Sequence, residues 1–290
     1  MSGTLLFGLI LFDIIEGEYY IGGPATNIAL HMAFQGEHPT VISSVGDDKL
    51  GKVAEKLFTD NHVSTQYINI DHQHETGCVR VFLDDNGEPS FEITQPVAYD
   101  FITLSNEQFK ELSKTTFDIV YFGTVVQRMK TNTETLSKIL ENISYKYAFF
   151  DINLRKGHIN KDNVAFSLQH CDILKVNEEE LALLGEMFKL EDQNEDAIIK
   201  WLFSSYSISY ILMTRGENGA SVLTPNQRND IPGIKVTVKD TVGTGDAFSA
   251  GFIMEFLNSG DLLLAAQKGN ELGAYVAARS GAVPEIQETH

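Results

Sequence analysis

The sequence predicts an α/β protein: a three-layer arrangement with a mostly parallel central sheet, helices on both faces and a small extra β element. Three observations predict it. From residue 117 onward, short apolar runs alternate with amphipathic stretches of helical length, the pattern of strands buried on both faces. Polar residues able to do chemistry follow directly after those runs, which in a parallel sheet puts them along the carboxyl edge. Between residues 76 and 94 the rhythm changes to strict alternation around Asp84-Asp-Asn-Gly87, a hairpin with one covered and one wet face.

Taken in order, Leu5–Ile14 reads as a buried first strand carrying Asp13 near its end. It has no basic leader or small-residue cleavage site and is too short to span a bilayer, which argues against a targeting segment. Glu16–Ile21 reads as a second short strand, and Gly22-Gly23-Pro24 opens a helix that Gly36 closes. Thr40–Val45 is the next strand, then a helix over Lys52–Asn61 and an extended run Val63–Ile70. Thr76–Leu83 and Ser90–Thr94 form the hairpin. The alternating part supplies strands at Asp118–Phe122, Tyr147–Phe150, Ile173–Val176 and Tyr210–Met213, with helices near 132–142, 162–170, 178–184 and 196–205. Ala220–Leu223 and the β-branched run Ile234–Val238 add buried strands, and helices near 245–258 and 261–279 close the chain.

The most informative stretch is Asp240-Thr-Val-Gly-Thr-Gly-Asp246, between Ile234–Val238 and a helix whose Phe248, Phe252 and Phe256 recur on one face. Gly243 and Gly245 let backbone N–H groups approach an anion closely, and the helix start points unpaired donors and a positive dipole end at the same place. As plain structure, Thr244 would be an N-cap and Asp246 an ordinary first-turn charge. Asn177 and Glu180 read equally well as a capping box or as a pair of ligands on one helix face. Arg155, after Asp151 and Asn153, reads either as a surface ion pair or as a fork for an anion. Arg128 is a weaker candidate of the same kind.

Composition narrows the function classes. The net charge of -18 over 290 residues repels a duplex phosphate backbone, so nucleic acid is not the expected partner. A phosphate-handling site in so acidic a chain must build local positive potential from helix ends, arginine and a divalent ion. The two cysteines, Cys78 and Cys171, have no metal-type spacing and read as reduced thiols of a cytoplasmic protein.

On these residues the chain resembles the ribokinase-like (PfkB) carbohydrate kinases from Phe7 to Pro284. The resemblance implies a single ribokinase-like domain over residues 1–290, with lid segments at about 14–22 and 76–100. It implies that Asp246 is the catalytic base and that Gly243, Thr244 and Gly245 form the anion hole, although relatives usually carry Ala at position 244. ATP and Mg²⁺ are the implied cofactors. Asn177 and Glu180 match the motif that organises magnesium and phosphate, Glu180 being the candidate metal residue. Thr214, Gly216 and Gly219 match the nucleotide loop. Asp13, Gly22, Gly23 and Asn27 match the sugar-recognition positions, and Arg155 would reach the acceptor sugar or the moving phosphate. A K⁺ site beside the anion hole would draw on Asp240, Val242 and the 277–281 segment.

Ile10–Ile14, Gly22–Asn27 and Gln95–Phe101 look most like the fructokinase group, so fructose is the expected acceptor. The alternatives are another acceptor (ribose, 2-keto-3-deoxygluconate, a nucleoside) or a catalytically silent sugar-binding regulator. One departure stands out: Leu9 occupies a position where relatives usually have Glu. The expected partners are a small sugar and ATP, without nucleic acid or membrane, and the edges of the β lid offer a surface for a homodimer.

Overall fold

The computed structural model describes residues 3–15, 17–83, 89–93, 95–154 and 160–284. Nine strands form the main sheet, in the order β13-β12-β11-β10-β9-β8-β1-β4-β5. These are β1 Gly3–Phe7, β4 Thr40–Gly46, β5 Ser64–Asp71, β8 Thr116–Gly123, β9 Ser144–Asp151, β10 Ile173–Asn177, β11 Tyr210–Thr214, β12 Ala220–Thr224 and β13 Gln227–Ile231. All neighbours from β5 through β11 are parallel, and β12 and β13 run antiparallel at one edge.

The apolar runs behave as their composition requires, sending alternate residues to opposite faces. Leu5, Phe7, Val120, Phe122, Phe150, Leu174 and Val176 enter one core, with side chains from helices α4 Lys130–Asn142, α5 Lys161–His170, α6 Glu178–Phe188 and α7 Glu195–Ser205. Leu6, Ile119, Tyr121, Phe149 and Ile173 enter the other, against α1 Pro24–Phe34, α2 Lys49–Asp60, α8 Thr244–Ser259 and α9 Leu262–Ala277. The predicted stripe Phe248, Phe252 and Phe256 is buried on α8 and stacked at successive turns. A further helix, α3 Asn106–Leu112, was not expected from the sequence. No helix among the described residues is long and apolar enough to cross a membrane.

A second sheet of four strands has the order β3-β2-β6-β7, with β2 Leu11–Ile15, β3 Glu18–Gly22, β6 Gly77–Leu83 and β7 Pro89–Ile93. The alternating hairpin is therefore present as β6 and β7, paired antiparallel. Its turn lies outside the described residues.

Two strand assignments need correction. Leu5–Ile14 is not one strand: β1 ends at Phe7, and the chain leaves the main sheet to start β2 at Leu11. At the break, a Cβ on Gly8 would stand 2.5 Å from Cβ of Ala25, so the start of α1 occupies the space a continuing strand would need. Asp13 consequently belongs to the second sheet, opposite Tyr20. The second error is Ile234–Val238, which is neither buried nor a strand. Ile234, Val236 and Val238 are 43%, 37% and 58% exposed. The edge position is filled instead by β13, whose polar sequence Gln-Arg-Asn-Asp-Ile suits a strand with one side in water.

Candidate active site

The ends of β8, β9, β10 and β11 lie side by side: Gly123 is in register with Asp151, and Asn177 with Thr214. Into this edge come the starts of α1 and α8. Most other helices here begin on a side-chain cap, such as Asp48, Asn160, Asn177, Asn194 and Asp261. These two do not. Each begins on a positive-φ glycine, Gly23 at 102° and Gly243 at 75°, with no side-chain cap hydrogen bond. Gly23 also cannot carry a Cβ, which would lie 2.5 Å from the Leu9 carbonyl oxygen. Thr244 does not cap its helix; its hydroxyl donates to the Thr241 carbonyl at 3.0 Å. Helix starts without side-chain caps leave N–H donors that can receive an anion.

The two starts are tied together. Asn27 Nδ2 donates to Asp246 Oδ2 at 2.7 Å across a separation of 219 residues. Asn27 is buried, and its Oδ1 has no protein partner. Beneath α8 lies a charged cluster that the sequence reading missed in part. Lys175, in the middle of β10, donates through Nζ to Asp151 Oδ2 at 2.8 Å. The same oxygen accepts from Tyr121 Oη at 3.1 Å and Ser249 Oγ at 3.4 Å. Burial opposes the Lys175 charge, yet Asp151, with Asp246 and Glu180 beyond it, holds the ammonium above the usual lysine range. Burial, then the charges of Asp151 and Asp246, push the Tyr121 phenol well up. A lysine interrupting an apolar strand run was the available signal.

Asn177 and Glu180 do form the reciprocal capping box: Asn177 Oδ1 accepts from Glu180 N at 2.8 Å, and Glu180 Oε2 from Asn177 N at 2.9 Å. Glu180 Oε1 also accepts from Leu154 N at 3.0 Å, which joins α6 to the end of β9. Burial, then the Asp151 charge, raise its carboxyl against those N–H bonds and Lys175. Among the described residues no group of three or more His, Cys, Asp or Glu side chains that could hold a metal ion occurs. Glu180, a partly buried carboxylate whose two oxygens each accept one N–H, retains lone pairs that fit a hard ion keeping its waters and taking its other ligands from phosphates.

A family model, the pfkB family carbohydrate kinases, matches residues 13–289. The chain belongs to this family. It is similar to the fructokinase of Escherichia coli, at 26% identity over 82% of this chain and 78% of that one. It is 29% identical to an ATP-dependent ribose-1-phosphate kinase of Halopiger xanaduensis, over 90% of this chain and 81% of that one. Its fold matches the fructokinase of Vibrio cholerae O395 crystallised with fructose, ADP and calcium, with a TM-score of 0.84 and 25% identity over 98% and 95% of the two chains. Within the family it groups with the fructokinases, and it is a carbohydrate kinase.

The remaining candidates of this pfkB kinase are distributed as follows. Asp13 and Gly22 meet on the second sheet, where a Cβ on Gly22 would lie 3.0 Å from Asp13 Oδ2. Leu9 is buried and lines a small cleft with Pro24, Ala25, Tyr121, Thr124 and Asn153. Thr214 ends β11 in register with Asn177, and Gly216 and Gly219 form the tight turn that follows. Asp240 accepts from Val242 N and Gly281 N, at 3.0 Å each, and donates through its own N–H to Ala277 O. The three segments named for a monovalent cation are therefore in contact. Arg155 lies outside the described residues. Arg128 is buried against Asp100 and does not reach the cleft edge as a free cation.

Proposed function

We propose that this kinase transfers the γ-phosphoryl group of ATP to a hydroxyl of a monosaccharide, with fructose as the preferred acceptor. The observation that carries the reading is Asp246: a carboxylate in the first turn of a helix without a side-chain cap, after a left-handed glycine, steadied by Asn27 from the facing helix. Asp246 takes the proton of the sugar hydroxyl as the new O–P bond forms and ADP departs. Backbone N–H groups of Gly243, Thr244, Gly245 and Asp246 stabilise the charge on the transferring group. Asp13, Gly22, Gly23 and Asn27 bind the sugar, with Arg155 at the acceptor side, while Asn177, Thr214, Gly216 and Gly219 receive the nucleotide. Mg²⁺, held from Glu180 through water, would neutralise phosphate charge. The second sheet covers the acceptor and keeps water from competing.

The fructose and ADP of the Vibrio cholerae structure support this choice of substrates. The ribose-1-phosphate kinase of Halopiger xanaduensis supports a second reading, in which the same base serves another acceptor. ADP release with ATP and Mg²⁺ against fructose, ribose, ribose 1-phosphate, 2-keto-3-deoxygluconate and a nucleoside separates the two. Turnover of fructose above the others is expected. Sugar binding without turnover of any would leave a silent binder. We further place a K⁺ ion at Asp240, Val242 and the 277–281 segment, so activity should rise on K⁺ titration. Reduced Cys78 and Cys171 fit a cytoplasmic enzyme, and pairing through the second sheet would appear as a dimer mass in light scattering.

A further inference from the structure

Two arginines share the carboxylate of Glu195, and they differ in where else they reach. Arg228, on β13, donates to Glu195 at 2.7 Å and to Asp230 at 3.0 Å, with Asp196 4.0 Å away. That is an edge strand braced to the start of α7. Arg215 follows β11 and opens the turn that Gly216 and Gly219 complete. Its N–H donates to Gly219 O at 2.8 Å, and its carbonyl accepts from Asn218 N at 3.0 Å. Its guanidinium is divided in three directions. Nε donates to Ser221 Oγ on β12 at 3.0 Å, Nη2 to Glu195 Oε1 on α7 at 2.7 Å and Nη1 to Glu178 Oε1 on α6 at 2.5 Å. The first two contacts alone would brace the sheet edge. The third goes further, because Glu178 stands in the first turn of α6, between Asn177 and Glu180, whose capping box starts that helix. On its other side the turn is fixed by backbone: a Cβ on Gly219 would stand 2.1 Å from Ile231 O, and one on Gly233 1.9 Å from Glu217 O.

We infer that Arg215 is a positioning residue: it holds the 216–219 turn, proposed for the nucleotide, at a fixed spacing from the α6 start that carries Glu180, proposed for Mg²⁺. A nucleotide and its metal ion bind as one unit, so the two parts of their site must keep one geometry. The pairing of Asn177 with Thr214 sets that geometry only as far as the strand ends. Beyond them the guanidinium spans the gap with a rigid planar fork, which a single ammonium could not extend in three directions. In this role Arg215 acts through the turn and through Glu178, as an outer partner orients a ligand set, and not on the substrate itself. The inference rests on the kinase reading of the same site and adds a residue to it.

Arg215→Met tests it against Arg228→Met, which removes a pair with the same Glu195 but lies outside the turn. Ion pairs with solvent-exposed members add little stability, so both variants should remain folded in thermal melts. ADP affinity, measured by calorimetry in Mg²⁺, should weaken by about tenfold in Arg215→Met, the lower end of what loss of an orienting partner costs. ATP KM should rise in parallel, while fructose KM and the kcat at saturating ATP stay within about twofold. Arg228→Met should keep ADP affinity within about twofold of wild type. An arginine that only braces the sheet edge would move the melting temperature in both variants and nucleotide affinity in neither. Equal ADP affinity in Arg215→Met and Arg228→Met therefore overturns the inference. Should Arg215→Met not fold, Glu178→Ala carries the test, since Glu178 is 53% exposed and its loss cuts the link to α6 while leaving the contacts to Ser221 and Glu195. Wild-type ADP affinity in that variant overturns the inference equally. A wild type that binds ADP yet phosphorylates no acceptor would count against the kinase reading alone, because the affinity comparison still decides the role of Arg215.

Discussion

Arg128 and Asp100 meet at the root of the second sheet, Lys175 and Asp151 beneath the start of α8, and both pairs are almost wholly out of solvent. At the sheet root the charges match one to one. Arg128 donates to both oxygens of Asp100, at 2.5 and 2.7 Å, and Asp100 Oδ2 also accepts from Val97 N. The guanidinium lies 4.8 Å from the Tyr99 ring, and that ring fills the space over Gly77 where β6 begins. This pair clamps the segment after β8 to Val97–Asp100, although Arg128 Nη1 is left buried without a hydrogen-bond partner. Under α8 the Asp151 oxygen that accepts from Lys175 is shared with Tyr121 and Ser249, so that pair sits inside a wider hydrogen-bond network. A matched buried pair holds structure together. The Lys175 pair instead ties β8, β9 and β10 to α8 through Tyr121, Asp151, Lys175 and Ser249.

The comparison breaks if the two regions respond alike to mutation. The largest effect expected is on chemistry at α8: Asp246→Asn should lower kcat by about 10²–10⁴-fold, the usual worth of a general base. Sugar binding should persist, and the melting temperature should hold or rise, since a like charge leaves the cluster. Retention of most of kcat would remove Asp246 as the base. The next effect is on stability at the sheet root. Arg128→Met strands Asp100 in the interior and should cost about 3–5 kcal/mol in denaturant unfolding. In the cold, where the variant remains folded, its kcat with saturating substrates should stay within about threefold of wild type, because the clamp does not touch the reacting atoms. A large kcat loss at unchanged stability would place Arg128 in the site after all.

The same contrast governs what could be read from the sequence. The glycine turn and the helix it opens were legible because they are local: Gly243 takes a positive φ and α8 starts at the next residue, with Asp246 in its first turn. The strands β8 to β11 were legible from apolar runs, and the candidates at their ends followed. The Asn27–Asp246 bond was not, since nothing local joins residues 219 apart. Lys175 was passed over because a strand reading treats a charge as an interruption rather than as the point of the strand. Ile234–Val238 misled for the opposite reason: strand-like composition does not guarantee a place in the sheet, and the polar β13 held the edge. Helix α3 carried a signal that went unread, the Ser105-x-x-Gln108 capping box formed in the structure.

A third carboxylate sharpens the distinction, because the hydrogen bonds it accepts come from no cation at all. Asp48 caps α2 by accepting from Gly51 N at 2.8 Å, and it reaches across to the root of β6, accepting from Thr76 Oγ1 at 2.8 Å and Thr76 N at 2.7 Å. Burial opposes its charge, but those N–H and hydroxyl donors outweigh it and hold the carboxyl below its usual value. A depressed carboxyl stabilises the fold above the ordinary carboxylate range, and that contribution is lost as pH falls through the folded value. Asp48→Asn keeps one acceptor but turns an amide donor toward the Thr76 N–H, so it should cost about 1–2 kcal/mol at pH 7, the range of a lost cap with an unmet donor. The gap to wild type should then narrow as pH falls below the ordinary aspartate value of about 4 and on through the lower folded value, where the wild-type carboxyl also gains a proton. Urea unfolding of both proteins at neutral and acid pH measures it. A gap equally wide at both would mean that Asp48 contributes shape rather than charge, and that hydrogen bonds alone set the junction between α2 and the second sheet.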